Sequence, residues 1–212
     1  MEERFKFPAN REARNAARTK AIESLLIEKG VITGETVDKV LDVFETKIGP
    51  FNGAKLVARA WVDPAFKDRL VADTAAAIAE LDFPEGMTGA EGEHMRAVAN
   101  TPSVHNLIIC TLCSCYPWPV LGLPPYWYKD PSFRARGVRE PRKVLAEFGV
   151  ALAPSVEIKV WESSAQIRWF VIPERPSGSE AMSEAELAAL VTPEAMMGVA
   201  VEEIFATISP SA

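Results

Sequence analysis

Cys110, Cys113 and Cys115 stand within six residues of one another, and the chain has no other cysteine. An extracellular disulfide framework uses even numbers of cysteines at wider spacings. Thiols this crowded point instead to metal binding, redox chemistry or nucleophilic catalysis. Around a single ion, Cys113-Ser114-Cys115 needs no intervening loop. The Cys113 sulfur and Ser114 amide nitrogen close a six-membered chelate ring, and the Ser114 and Cys115 nitrogens close a five-membered one. The Cys115 nitrogen and its own sulfur close another. These four donors can lie in one plane, with Cys110 reaching over as an axial thiolate. One octahedral position then stays open for water or substrate, as metal-assisted hydrolysis requires. Amide nitrogens ligate only when deprotonated, which takes a strongly polarising ion. Donor strength therefore favours trivalent cobalt or iron over zinc.

Three other uses compete. Zinc is the default for clustered cysteines, but its structural sites want four ligands in two pairs. The two histidines, His94 and His105, match no common finger spacing and read more simply as partners in loop and strand hydrogen bonds. Cys110-x-x-Cys113 alone is a redox-pair pattern, and a buried thiol can be inert. The third thiol counts against both, and the rigid continuation Tyr116-Pro117-Trp118-Pro119 counts against the redox pair.

Elements on both sides must hold this loop. Apolar residues make up 48% of the 212 and charged residues 25%, which excludes a disordered or fibrous chain. No apolar run reaches the roughly 18 residues that cross a bilayer. Met1–Lys6 lacks the apolar stretch of a secretory signal, so a cytoplasmic protein is expected. A formal charge of −6 argues against a phosphate-binding surface over the whole molecule, hence no nucleic acid partner.

The first hundred residues read as helical. Apolar stripes predict helices over Glu12–Lys29, stopped by Gly30, and over Glu35–Lys47, stopped by Gly49-Pro50. A third runs over Asn52–Trp61. Asp63-Pro64 starts a fourth that reaches Leu81. Pro84–Gly92 reads as a loop and as the boundary between a helical region, 1–90, and an α/β region, 91–212. In the second region a strand over Val104–Ile109 leads into the cysteines, and a helix over Glu140–Phe148 stops at Gly149. Alternating segments Val156–Trp161 and Gln166–Ile172 predict a hairpin around Ser163-Ser164. Ser183 and Glu186 form a capping-box pattern for a helix through Leu190, and Thr192-Pro193 starts a short turn. The fold class is α+β.

Cys110-Thr111-Leu112-Cys113-Ser114-Cys115, followed by Tyr116-Pro117-Trp118-Pro119-Val120-Leu121-Gly122-Leu123-Pro124-Pro125, resembles the metal loop of nitrile hydratase α subunits. The likeness extends to Ile48-Gly49-Pro50, Asn52-Gly53-Ala54, Arg59-Ala60-Trp61-Val62-Asp63-Pro64 and Asn100-Thr101-Pro102. Downstream it takes in Trp127-Tyr128-Lys129, Pro141-Arg142-Lys143-Val144-Leu145-Ala146-Glu147-Phe148-Gly149 and Pro173-Glu174-Arg175-Pro176. It covers nearly everything from about residue 20 to 200, and its C-x-x-C-S-C core is highly specific.

The resemblance implies a helical N-terminal arm followed by a layered α/β domain that carries the metal loop. It implies nitrile hydration to amides at a non-corrin cobalt(III) centre, in preference to iron(III), because Thr111 stands where iron-type members carry Ser. The implied ligands are Cys110, Cys113, Ser114 and Cys115. Cys113 becomes a sulfinic and Cys115 a sulfenic acid, both steps on the cysteine oxidation ladder. Cys115, Cys113 and Ser114 are the implied catalytic residues. The implied partners are a small nitrile, a β subunit in a heterodimer or α2β2 heterotetramer, and a metal-insertion activator protein. Two alternatives remain: the cobalt-bearing subunit of thiocyanate hydrolase, which shares the loop, and a non-catalytic metal-carrying subunit.

Four further positions enter here. Trp118 reads either as a packed core aromatic or, by the resemblance, as part of the substrate pocket. Arg168 is either an exposed strand charge or an inward cation that orients the loop's oxygens. Glu91 stands where relatives commonly hold Gln, near the pocket, and Ala99 where they commonly hold Glu.

Overall fold

Two helices form an amino-terminal arm in the computed structural model, which describes residues 9–81, 83, 94–113 and 115–201. Helix α1 (Ala9–Glu28) ends before Gly30, whose φ of 67° lies in the left-handed region that glycine adopts without strain. Helix α2 (Gly34–Thr46) starts on Thr33, whose hydroxyl accepts the Thr36 amide. Of its apolar stripe, Val37 and Phe44 are half-buried while Val40 and Leu41 stay exposed.

The arm leads into α3 (Pro50–Val62), which opens with proline at its first turn and buries Leu56, Val57 and Trp61. Asp63 closes α3 and caps α4 (Pro64–Ala72) by accepting the Phe66 amide. The single fourth helix expected through Leu81 is in fact two. Asp73 leaves helical geometry at φ −143°, ψ 91° and caps α5 (Thr74–Ala79) through the Ala76 amide. The break serves Thr74, whose buried hydroxyl donates to the Leu70 carbonyl and accepts the Ala97 amide of β1.

The strands are β1 (His94–Ala99), β2 (Val104–Ile109), β3 (Glu157–Glu162) and β4 (Ile167–Ile172). β1 was not expected from the sequence, although Met95 and Ala97 alternate with more exposed neighbours. The hairpin expected of the last two strands does not form. β4 pairs in parallel with β1, and β3 pairs in parallel with β2, giving two separate ribbons. Alternation marks a half-buried strand but not its partner. The Ser163 amide donates to the Ile109 carbonyl, extending the β3–β2 ladder. The chain then turns at Ser164 and crosses to the other ribbon. Residues of both ribbons, Val98, Ile108 and Val171, form a small second cluster, with the Trp161 and Trp169 rings 4.5 Å apart. Leu107, Ile109, Phe170 and Ile172 face a larger core shared with α3, α4 and α5.

After the cysteine loop come α6 (Trp118–Leu121), a 3-10 turn (Tyr126–Lys129), α7 (Pro131–Arg139) and α8 (Pro141–Glu147). Helix α9 (Glu184–Leu190) carries the reciprocal Ser183–Glu186 capping box, and α10 (Pro193–Met196) follows Thr192. Among the described residues, no helix is long and apolar enough to cross a membrane. The Pro84–Gly92 loop, with Glu91, lies outside the described residues, as does Ser114.

Candidate metal centre

β2 runs its apolar residues straight to Ile109 and delivers Cys110 into the core, 1% exposed. The chain then leaves the strand, exposes Cys113, and returns with Cys115 at 8% exposure. The three sulfurs lie within 4.8 Å of one another. Cys113 Sγ stands 3.7 Å from Cys110 Sγ and 2.6 Å from Cys115 Sγ. The cluster is closed toward the protein and open at Cys113. Three converging soft donors fit a thiolate-binding transition metal.

Local hydrogen bonds prepare Cys110 for ligation. Burial pushes its thiol up, but backbone amides of Cys113, Cys115 and Leu112 outweigh that and bring it from 9.0 down to about 7. The Cys113 amide donates to its sulfur at 3.3 Å. Cys113 moves the other way, up to about 11, because it shares its proton with Cys115 and sits beside two other sulfurs. A bound cation overrides this difference, since ligating thiols are deprotonated outright.

The loop is clamped at Thr111. Its amide donates to Glu162 Oε1 at 3.3 Å, and its hydroxyl donates to the same oxygen. Glu162 is in place because β3 pairs it with Ile109. On the other side, Arg134 Nη1 donates to the Thr111 and Leu112 carbonyls at 3.3 and 3.1 Å. The buried Tyr128 hydroxyl donates to the Cys115 carbonyl at 2.7 Å. Every polar group of Thr111 thus has a partner from a distant element.

Helix α3 holds the exit of the loop. A side chain on Gly53 would strike the Val120 carbonyl, so glycine lets α3 meet α6 closely. Asn52 donates to the Lys47 and Pro119 carbonyls, joining the end of the arm to the loop's continuation.

Of the expected site residues, Cys110, Cys113 and Cys115 are brought together. Trp118 is not a packed core aromatic: it opens α6, is 48% exposed, and its ring centroid lies 6.0 Å from that of Phe44 on α2. Arg168 is half-buried near the start of β4 and donates to the Ser164 carbonyl in the turn after Glu162. His105 is no ligand. Its Nε2 donates to the Gly198 carbonyl at 2.7 Å, and its Nδ1 faces the Asn100 amide at 3.4 Å. Sequence reasoning missed Arg134, Glu162 and Tyr128. Each lies far along the chain from its loop partner, so no local spacing marks it.

The family model for the nitrile hydratase alpha chain matches residues 13–200. A low-molecular weight cobalt-containing nitrile hydratase subunit alpha from Rhodococcus rhodochrous is 54% identical over 186 residues, 88% of either chain. Thiocyanate hydrolase subunit gamma from Thiobacillus thioparus is more distant, 39% identical over 89% of this chain and 80% of its own length. Among solved structures, a double mutant of the Fe-type nitrile hydratase from Comamonas testosteroni superposes with a TM-score of 0.81 at 39% identity. It covers 94% of this chain and 97% of its own. With the three-thiol loop seated between its strands and α7, this chain belongs to the nitrile hydratase alpha-chain family.

Proposed function

We propose that this chain is the metal-bearing α subunit of a cobalt-type nitrile hydratase, an enzyme that adds water to a nitrile and yields the amide. The observation that carries the reading is the convergence of three cysteine sulfurs within 4.8 Å at the end of β2. The higher identity to a cobalt-containing nitrile hydratase subunit than to a thiocyanate hydrolase subunit, 54% against 39%, favours it over the alternative.

When bound, trivalent cobalt supplies Lewis acidity toward the nitrile or a water molecule. The chain's part is to hold and shape. Sulfurs of Cys110, Cys113 and Cys115, with amide nitrogens of Ser114 and Cys115, would hold the metal. Buried Cys110 and Cys115 keep solvent from the inner side, while exposed Cys113 and half-exposed Trp118 border the approach. Cys113 is carried as the sulfinate and Cys115 as the sulfenate, whose oxygen acts as base or nucleophile. Arg168 steadies the turn behind the loop, and the family resemblance assigns Glu91 to the substrate pocket.

A β subunit completes the enzyme as a heterodimer or α2β2 heterotetramer. Support comes from uncovered apolar residues on the arm, Ile22, Leu25, Val40 and Leu41, each more than half exposed. Sulfur oxyanions enclosed at that interface also need cations, which the partner supplies.

Co-expression with the β subunit and an activator protein in cobalt medium tests the reading. One cobalt per chain, three added oxygens in the intact mass, and nitrile turnover exceeding thiocyanate turnover are the expected results. Stoichiometric zinc, or thiocyanate as the better substrate, overturns it.

A further inference from the structure

We infer that Arg134 is a positioning residue that acts on the Cys110 sulfur through the Leu112–Cys113 peptide, an inference that rests on the metal-centre reading above. Helix α7 sits where it does for reasons independent of Arg134. Asp130 caps it by accepting the Ser132 and Phe133 amides. Phe133 is fully buried, with its ring centroid 4.9 Å from Trp127 and 6.0 Å from Phe148. Gly137, on the same face, lies against the strand: a Cβ there would stand 3.3 Å from Ile109 Cγ2. Arg134 is one turn earlier, so the helix presents its guanidinium to the residues after Cys110.

Among the described residues, the hydrogen bonds of that guanidinium go to loop carbonyls, Thr111 at 3.3 Å and Leu112 at 3.1 Å. Its Nε is buried with no hydrogen-bond partner among the described residues. Leu112 is 84% exposed, and its backbone carbonyl is what Arg134 holds. The Leu112 carbonyl belongs to the same peptide group as the Cys113 amide, which donates to Cys110 Sγ at 3.3 Å. A cation on the carbonyl polarises the peptide and strengthens the donor at its other end. Arg134 thereby acts on the Cys110 sulfur without touching it. Glu162, holding Thr111 from the opposite side, completes the clamp.

The test compares Arg134→Gln and Arg134→Lys with the parent. Amide hydrogen exchange over the loop is followed in the metal-free full chain. The sulfur-to-metal charge-transfer absorption and cobalt release to a chelator are followed in the assembled, cobalt-loaded complex. Losing a charge-assisted hydrogen-bond pair predicts loop exchange and cobalt release faster by about tenfold or more in Arg134→Gln, with a displaced absorption band. Arg134→Lys, which keeps the charge, is expected to fall between the two. Unchanged helix content with these shifts separates positioning from folding. Parent-like exchange and an unmoved band in Arg134→Gln overturn the inference. Should that variant not fold, the same two readouts on Arg134→Lys decide it. A parent that takes up no cobalt breaks the metal-centre reading instead, and the exchange comparison still judges Arg134.

Discussion

Two tyrosines beside the loop differ in one hydrogen bond. The Tyr128 hydroxyl donates to the Cys115 carbonyl, whereas the buried Tyr116 hydroxyl has no hydrogen-bond partner among the described residues. Their rings meet edge-on with centroids 5.2 Å apart. Burial pushes both phenols above their ordinary range. Removing the Tyr128 hydroxyl strands a carbonyl, which costs about 1–3 kcal/mol. Tyr128→Phe is therefore expected to lower the melting temperature, and Tyr116→Phe to leave it unchanged or raise it. Thermal unfolding of the two variants side by side checks this, and equal losses would count against it. At the same scale, the cysteines were legible because the chemistry of three adjacent thiols is local. Arg134 and Glu162 were not legible, because what makes them part of the site is the seating of α7 and the pairing of β3.

At the scale of elements, caps carried the legible part. Gly30, Asp63 and the Ser183–Glu186 box each satisfy groups within four residues, so the helix ends they set could be read directly. The break at Asp73 and the failed hairpin are long-range decisions. A strand amide 23 residues away claims Thr74, and parallel partners claim β3 and β4. Replacing Thr74 with Val strands the buried Ala97 amide and is expected to cost about 1–3 kcal/mol in urea unfolding. β2 is also tied to the segment after α10 through His105 and the Gly198 carbonyl. Burial lowers the His105 pKa below 6.5 despite that bond. The unfolded chain then binds the proton more readily than the folded one. His105 therefore contributes stability above pH 6.5 that is lost as pH falls through its depressed folded value. Urea unfolding at pH 7.5 and 5.5 is expected to show a smaller acid loss in His105→Gln than in the parent.

Over the whole molecule, the arm is the part that this chain does not finish. Ile22 and Leu25 on α1 and Val40 and Leu41 on α2 stay exposed, while the buried hydrophobic core among the described residues begins at α3. The purified single chain is expected to self-associate, and Leu41→Glu to reduce both that association and β-subunit capture without altering the melting of the remainder. Sedimentation velocity with and without the β subunit reads both. The clamp has a further consequence in time. Thr111 is held by a residue 51 positions later, and His105, in the strand feeding the loop, by one 93 positions later. Such closures come late, because the entropy of joining distant segments must be overcome before their contacts form. All three thiols therefore leave the ribosome well before the cradle that orients them exists. A chain caught at that stage offers thiols to any soft metal with none of the final geometry. Loading must follow folding, so cobalt uptake during refolding should lag behind the far-ultraviolet signal of the parallel strands rather than lead it.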